Sequence, residues 1–242
     1  MPIRWRASTR AWICGGTSEL SRRVALNVDK RYRYIYKPLV FIGCLTPIAW
    51  LFAGGFGVLG QSLGPDPIKF TLHTLGKTSL NLLILTLLVT PVRHLAGWPH
   101  IVRIRRMLGL FAFFYALLHF TVYLVLDQEL DYASVLKDIA KRPYITVGFT
   151  ALVILIPLAV TSTNRMMRRL GRRWQTLHRL VYVAAILSVW HYYWQVKRDV
   201  REPLVYAAIL AVLLGYRYLR RARSRRAVAT SRSGSATAPE RI

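Results

Sequence analysis

RIRRMLGLFAFFYALLHFTVYLVL, residues 103–126, opens on three arginines, then runs 20 residues from Met107 to Leu126 without a formal charge, and holds one histidine, His119. A helix rising about 1.5 Å per residue crosses a hydrocarbon core of about 30 Å in roughly 20 residues. The stretch therefore reads as a membrane-spanning helix that enters from a basic side near Arg106 and carries His119 about 20 Å along its length.

Working outward, five further segments approach or exceed that length: Pro38–Leu59, Ile68–Val92, Tyr144–Ser162, the more aromatic and polar Thr176–Val196, and Pro203–Leu219. The chain is 54% hydrophobic with a formal charge of +25, a combination that suits no single soluble core but makes sense when charge and apolarity separate along the sequence. The expected fold is an all-α integral membrane protein, a six-transmembrane-helix bundle. Its expected parts are a basic N-terminal extension (1–36), a membrane domain (37–221) and a disordered basic, Ser/Ala-rich tail (222–242).

Charge sets the orientation. Arg4 to Lys37 before the first segment, Arg93 to Arg106 between the second and third, Arg165 to Arg173 between the fourth and fifth, and Arg217 to Arg226 at the end are strongly basic. The alternate connections are nearly neutral (Asp66, Lys69), mixed to acidic (Asp127, Glu129, Asp131, Asp138 against Lys137, Lys141, Arg142) or mixed (197–202). The positive-inside rule puts both termini in the cytoplasm. Arginines beside membrane helices are explained by topology and anionic lipid, so the basicity calls for no nucleic acid. No small-residue cleavage site follows the first apolar run, and Ser21-Arg22-Arg23 stands too far from it for a twin-arginine signal. Cys14 and Cys44 belong to no C-x-x-C or C-x-x-C-H motif, which leaves a disulfide, a zinc site and covalent haem unsupported.

The histidines carry the chemistry. His94 and His100 fall in a cytoplasmic connection, while His73, His119, His178 and His191 fall in spans, where an ionisable group is costly and marks function by default. The plain alternative is a histidine bonding to a neighbouring helix. By depth, His73, His119 and His191 share the outer part of the bilayer, and His178 lies alone near the inner face. Bundle cores hold haem between imidazoles of facing helices. His119 pairs with His191 on an outer haem, with His73 as alternative ligand or hydrogen-bonding neighbour.

Other features read as structure. Trp190, Tyr192, Tyr193 and Trp194 suit an aromatic belt at the outer interface, and Trp98 and Trp174 the inner one. Pro91, Pro143 and Pro203 mark helix ends, Pro47 and Pro157 imply kinks, and Thr161 to Asn164 supply groups for the last turn of the fourth helix.

Several ordered motifs resemble one bacterial family: RIRRMLGL leading to His119, GPDPIKFTLHTLGKTSLNLL from Gly64, RPYITVGF from Arg142, and above all LAVTSTNRMMRRLGRRWQTLHRLVYVAAILSVWHYYW from Leu158. Over roughly Tyr36 to Arg221 the chain is similar to the MsrQ (YedZ) family, haem-binding membrane subunits of the periplasmic methionine-sulfoxide reductase system, within the ferric-reductase-like transmembrane domains. The resemblance implies b-type haem, one or two per chain, and FMN as cofactors. It also implies a bacterial inner-membrane location, electrons drawn from the quinone pool, and delivery to a periplasmic molybdenum-containing catalytic subunit (MsrP). Such a chain is an electron-transfer subunit rather than the catalytic reductase. The family's helix histidines fall on His73, His119, His178 and His191; no residue points to FMN.

Ferric-reductase-like domains hold two stacked haems through two histidines on each of two helices. Here His178 and His191 keep that pair on one helix, but Arg105 stands 14 residues before His119 on the other. An inner haem would rest mainly on His178, with Arg105 or Arg106 near the iron or its propionates; alternatively both arginines only set topology. With no G-x-G-x-x-G after a strand and no P-loop, electrons must come from quinol or another protein. Other functions open to the same residues are a histidine-relay transporter or proton translocator without haem, a haem chaperone, or a quinol-binding cytochrome serving another partner.

Overall fold

The computed structural model of the chain describes residues 32–57, 64–97, 101–196 and 199–236. The rest of the basic extension with Cys14, along with Leu59, Trp98, His100, Lys197 and residues 237–242, lies outside the described residues. All regular structure among the described residues is helical, and the chain divides into two compact units, residues 1–46 and 47–242. The first contains a π-helical turn, Tyr32–Tyr36, and the start of α1 (Lys37–Gly55), where Leu39 and Ile42 are exposed.

The second unit contains the remainder of α1 and eight more helices: α2 (Pro67–Leu95), α3 (Val102–Val122, prolonged by a π-helical turn to Asp127), α4 (Tyr132–Lys141), α5 (Pro143–Val160), α6 (Asn164–Leu170), α7 (Arg172–Leu177), α8 (Leu180–Gln195) and α9 (Arg201–Ala236). Among the described residues, five helices are long and apolar enough to cross a membrane: Tyr34–Gly55, Pro67–Leu95, Val102–Asp127, Pro143–Val160 and Arg201–Arg223. Leu85, Phe114, Leu117, Val153, Ile156 and Val212 are all exposed, a distribution that is unfavourable in water and neutral in lipid.

Local chemistry sets the helix starts. Asp66 accepts the Lys69 amide at 3.1 Å with Pro67 as the first helical residue of α2, Asp131 accepts the amides of Ala133 and Ser134 before α4, and Thr163 accepts that of Met166 before α6. Helix α2 packs on α3, α5 on α8, and α8 on α9. Ala112, Ala184 and Ala185 are fully buried, letting backbones approach as small residues do in membrane interfaces. The Ser79 hydroxyl donates to the Ala112 carbonyl at 2.8 Å across the α2–α3 contact.

Four expectations need correcting. The fifth expected span, Thr176–Val196, is broken: α7 ends at Leu177, the last α-type bond runs from His178 N to Trp174 O, Arg179 N turns tighter to Thr176 O, and α8 has 16 residues. Polar Gln175 and Thr176 and charged Arg179 interrupt the apolar run there. Pro91 does not end its helix but lies inside α2, which carries Arg93 and His94 in its last turn. Helix α3 begins at Val102, so Arg103, Arg105 and Arg106 belong to its first turns rather than to a loop. Finally, α9 continues to Ala236 where a disordered tail was expected; arginine and alanine, frequent in that stretch, are strong helix formers.

Candidate cofactor site

The helices α2, α3, α5 and α8 enclose a cavity of about 350 Å³ whose lining includes His73, His119 and His191 together with Ser79, Tyr144 and Ser188. The three histidines assigned by depth to one level therefore line one cavity, with His119 and His191 in ring contact. The His119 Nδ1 lies 2.9 Å from the Leu72 carbonyl oxygen of α2, and the His191 Nδ1 lies 2.7 Å from the Tyr144 carbonyl oxygen of α5. Only a donor can meet a carbonyl oxygen, so each Nδ1 carries the proton and each Nε2 keeps its lone pair.

The two ring centres lie 6.3 Å apart with their planes at 77°, an edge-on arrangement. An imidazole centre lies about 1.1 Å behind its nitrogen and metal–imidazole bonds run about 2.0 Å, so two imidazoles on one metal place their centres about 6 Å apart. The observed centre-to-centre spacing matches that distance. No three His, Cys, Asp or Glu side chains cluster among the described residues as a protein-only metal cage needs. Two axial imidazoles suffice when a macrocycle supplies the remaining donors.

His73 lines the same cavity but is exposed at its mouth. Lys69, Lys77 and Arg142 also line it, each matched by a carboxylate: Asp66 at 2.5 Å, Glu202 at 2.5 Å and Asp138 at 3.2 Å. The Tyr192 hydroxyl donates to the same Glu202 oxygen. That corrects the aromatic reading at one position: Trp190, Tyr193 and Trp194 are exposed, whereas Tyr192 is buried.

His178 does not join the cavity. Its ring stacks on Trp174 at 3.9 Å, its Nδ1 lies 3.2 Å from the Trp174 carbonyl oxygen and its Nε2 lies 3.5 Å from the Ser162 hydroxyl. Arg105 lies in the first turns of α3, while Arg106 donates to Asn164 Oδ1. Thr161 and Ser162 bond the last turn of α5, through the Pro157 carbonyl at 2.6 Å and the Leu158 carbonyl at 2.7 Å.

The sequence reading missed the two carbonyls and the Lys77–Glu202–Tyr192 group. Leu72 and Tyr144 offer no side-chain signal for an acceptor role, because the acceptor is main chain. Lys77 and Glu202 are 125 residues apart, beyond any local pattern.

Comparison with known proteins agrees with this architecture. The family model described as ferric reductase like transmembrane component matches residues 75–189. A "Protein-methionine-sulfoxide reductase heme-binding subunit MsrQ" of Xanthomonas campestris pv. campestris is 48% identical over 196 residues, 80% of this chain and 90% of the relative. Proteins of the same name from Herminiimonas arsenicoxydans and Ralstonia nicotianae are 50% identical over 183 residues (74% of this chain, 83% of the relative) and 57% identical over 165 residues (66% and 76%).

Proposed function

Because the chain belongs to the MsrQ family, we propose that it is the haem-binding, electron-carrying membrane subunit of a methionine-sulfoxide reductase system, with b-type haem held between His119 and His191. The observation that carries this is the pair of imidazoles 6.3 Å apart, each with its Nδ1 proton committed to a carbonyl. A second haem would rest on His178 with Arg105 nearby, and His73 stands at the outer mouth of the cavity. FMN accompanies the haem as a further cofactor.

In this reading the protein spans the bacterial inner membrane six times with both termini cytoplasmic. Helix α8, whose 16 residues extend about 24 Å, is the short span. The charge of the connections supports that orientation. Electrons enter from the quinone pool and leave on the outer side toward a periplasmic molybdenum-containing reductase, MsrP, as heterodimer partner.

Haem supplies an iron that takes and gives one electron at a time. The residues of the chain do the rest. His119 and His191 present two neutral nitrogens from facing helices. The Leu72 and Tyr144 carbonyls hold those rings in one tautomer and orientation, which raises ligand basicity. Leu80, Leu152 and Leu155 give the cavity an apolar wall.

The test is a reduced-minus-oxidised visible spectrum with a pyridine haemochrome assay on detergent-purified wild type and His119→Ala. A b-type spectrum lost or halved in the variant upholds the reading. A colourless wild type expressed with adequate haem overturns it in favour of a histidine-relay transporter.

A further inference from the structure

Two stretches, TLGKTSLNLLI (74–84) and TVGFTALVILI (146–156), stand 72 residues apart and carry Thr, Gly, Thr, Leu, Leu and Ile at matching places. His119 and His191 stand at the same offset. The match extends to the structure. Thr78 bonds the Thr74 carbonyl at 2.8 Å and Thr150 the Thr146 carbonyl at 2.7 Å. Leu80 and Leu152, like Leu83 and Leu155, are buried, and Ala112 and Ala184 are fully so. Each histidine reaches a carbonyl 47 residues earlier. The hairpins α2–α3 and α5–α8 are two copies of one design, and each seats one imidazole.

A helical carbonyl points toward the amide four residues on, and the side chain at that position fences it from the side. Four residues after Leu72 and Tyr144 stand Gly76 and Gly148. A β carbon on Gly148 would meet His191 Nδ1 at 2.7 Å and Cε1 at 2.8 Å, and one on Gly76 would meet His119 Nδ1 and Cε1 at 3.3 Å. Glycine inside a helix is less favourable than alanine, so the pair calls for a reason. By contrast, a β carbon on Gly215 would meet nothing within 4 Å, and one on Gly109 would meet Thr86 only at an ordinary 3.7 Å.

We propose that Gly76 and Gly148 are matched positioning residues for the two haem-ligating imidazoles: each clears the flank of a helix so that an Nδ1–H can reach the carbonyl one turn earlier. The proposal rests on the haem reading above. A hydrogen-bonded imidazole is the stronger donor and favours ferric iron. Alanine at 148 displaces the ring from the Tyr144 carbonyl and raises the midpoint potential of that haem. Alanine at 76, with more room, acts in the same direction but less.

The experiment is a spectroelectrochemical titration with low-temperature EPR of the ferric form on haem-loaded wild type, Gly148→Ala, Gly76→Ala and the control Gly215→Ala. The expected result is an upward shift of potential with altered low-spin g values, larger for Gly148→Ala than for Gly76→Ala, and none for the control. Wild-type potentials and g values in both cavity variants overturn the positioning role. That outcome leaves the haem reading standing, provided His119→Ala still loses haem; a colourless wild type instead removes the haem reading itself. Where Gly148→Ala does not accumulate with haem, Gly76→Ala decides alone: an upward shift supports the role and a wild-type value overturns it.

Discussion

Arg217 of α9 donates from Nη2 to the Leu87 carbonyl of α2 at 2.6 Å, the carbonyl that Pro91, lacking an N–H, leaves without its helical partner. The same nitrogen donates to Thr90 Oγ1 at 2.9 Å, and Nη1 to the Tyr182 hydroxyl. This is how α2 passes through a proline inside a membrane segment: a neighbouring helix satisfies the freed group. Arg217→Ala removes three bonds from one charged group and should destabilise the protein by about 2–4 kcal/mol. Arg217→Lys recovers only part of this, since an ammonium cannot serve three acceptors in one plane. Thermal unfolding in detergent, followed by size-exclusion chromatography, reads the loss.

The same relationship predicts coupling. Pro91→Ala restores an amide that can bond Leu87, so the Arg217→Ala change should cost less in that background, by about 1 kcal/mol. Equal losses in both backgrounds would show that the guanidinium does not compensate for the proline.

The four membrane histidines should separate by spectrum. His119→Ala and His191→Ala each remove one ligand of the facing pair and should lose or weaken the same low-spin haem. His178→Ala should leave that haem in place, because its ring packs on Trp174 away from the cavity. His73→Ala should retain a low-spin haem, since the other two rings already satisfy the spacing of a bis-imidazole site. Haem per protein, measured by pyridine haemochrome for each variant, checks all four; loss of the outer haem in His178→Ala would contradict the assignment.

That His119 and His191 stand at one level was readable from the sequence because helix rise converts residue counts into depth, and the arginine clusters fix where each count begins. Three things were not. The break at His178–Arg179 depends on a few polar residues in an otherwise apolar run. The role of Arg217 depends on Leu87, 130 residues away, and at the sequence level it looked like another topology charge. The acceptors for the imidazoles are main-chain atoms, which no residue type announces. Two of the four motifs quoted for the family resemblance do contain Gly76 and Gly148, but their meaning appears only when the rings stand beside them.

Close packing around the alanines gives a stability test independent of any cofactor. Ala112 and Ala184 are fully buried at equivalent places in the two hairpins. Leucine at either has no space and should cost about 1–3 kcal/mol or abolish accumulation, whereas leucine at the exposed Ala208 position on α9 should be tolerated. Membrane-fraction yield and monodispersity report the difference.

The connection between α3 and α4 carries Asp127, Glu129 and Asp131, and Asp131 is held below the usual carboxylate range first by the Ser134 hydroxyl and then by backbone amides. This acidic surface lies on the same side of the protein as the cavity mouth, where Asp127 itself is part of the lining. If the soluble reductase docks there, opposite charge on the partner steers the encounter, and salt screens it. Glu129→Lys should slow electron delivery to the partner while leaving the haem spectrum intact, with the effect shrinking as ionic strength rises. Lys137→Glu, which adds an acid to the nearby exposed face of α4, should preserve or speed delivery. Glu129 is the better probe than Asp131, whose carboxylate also caps α4 through Ala133 and Ser134, so that its loss would mix docking with folding. Stopped-flow oxidation of the reduced membrane subunit by the partner, at two salt concentrations, measures the rates. Identical rates for Glu129→Lys and wild type at low salt would place the docking surface elsewhere.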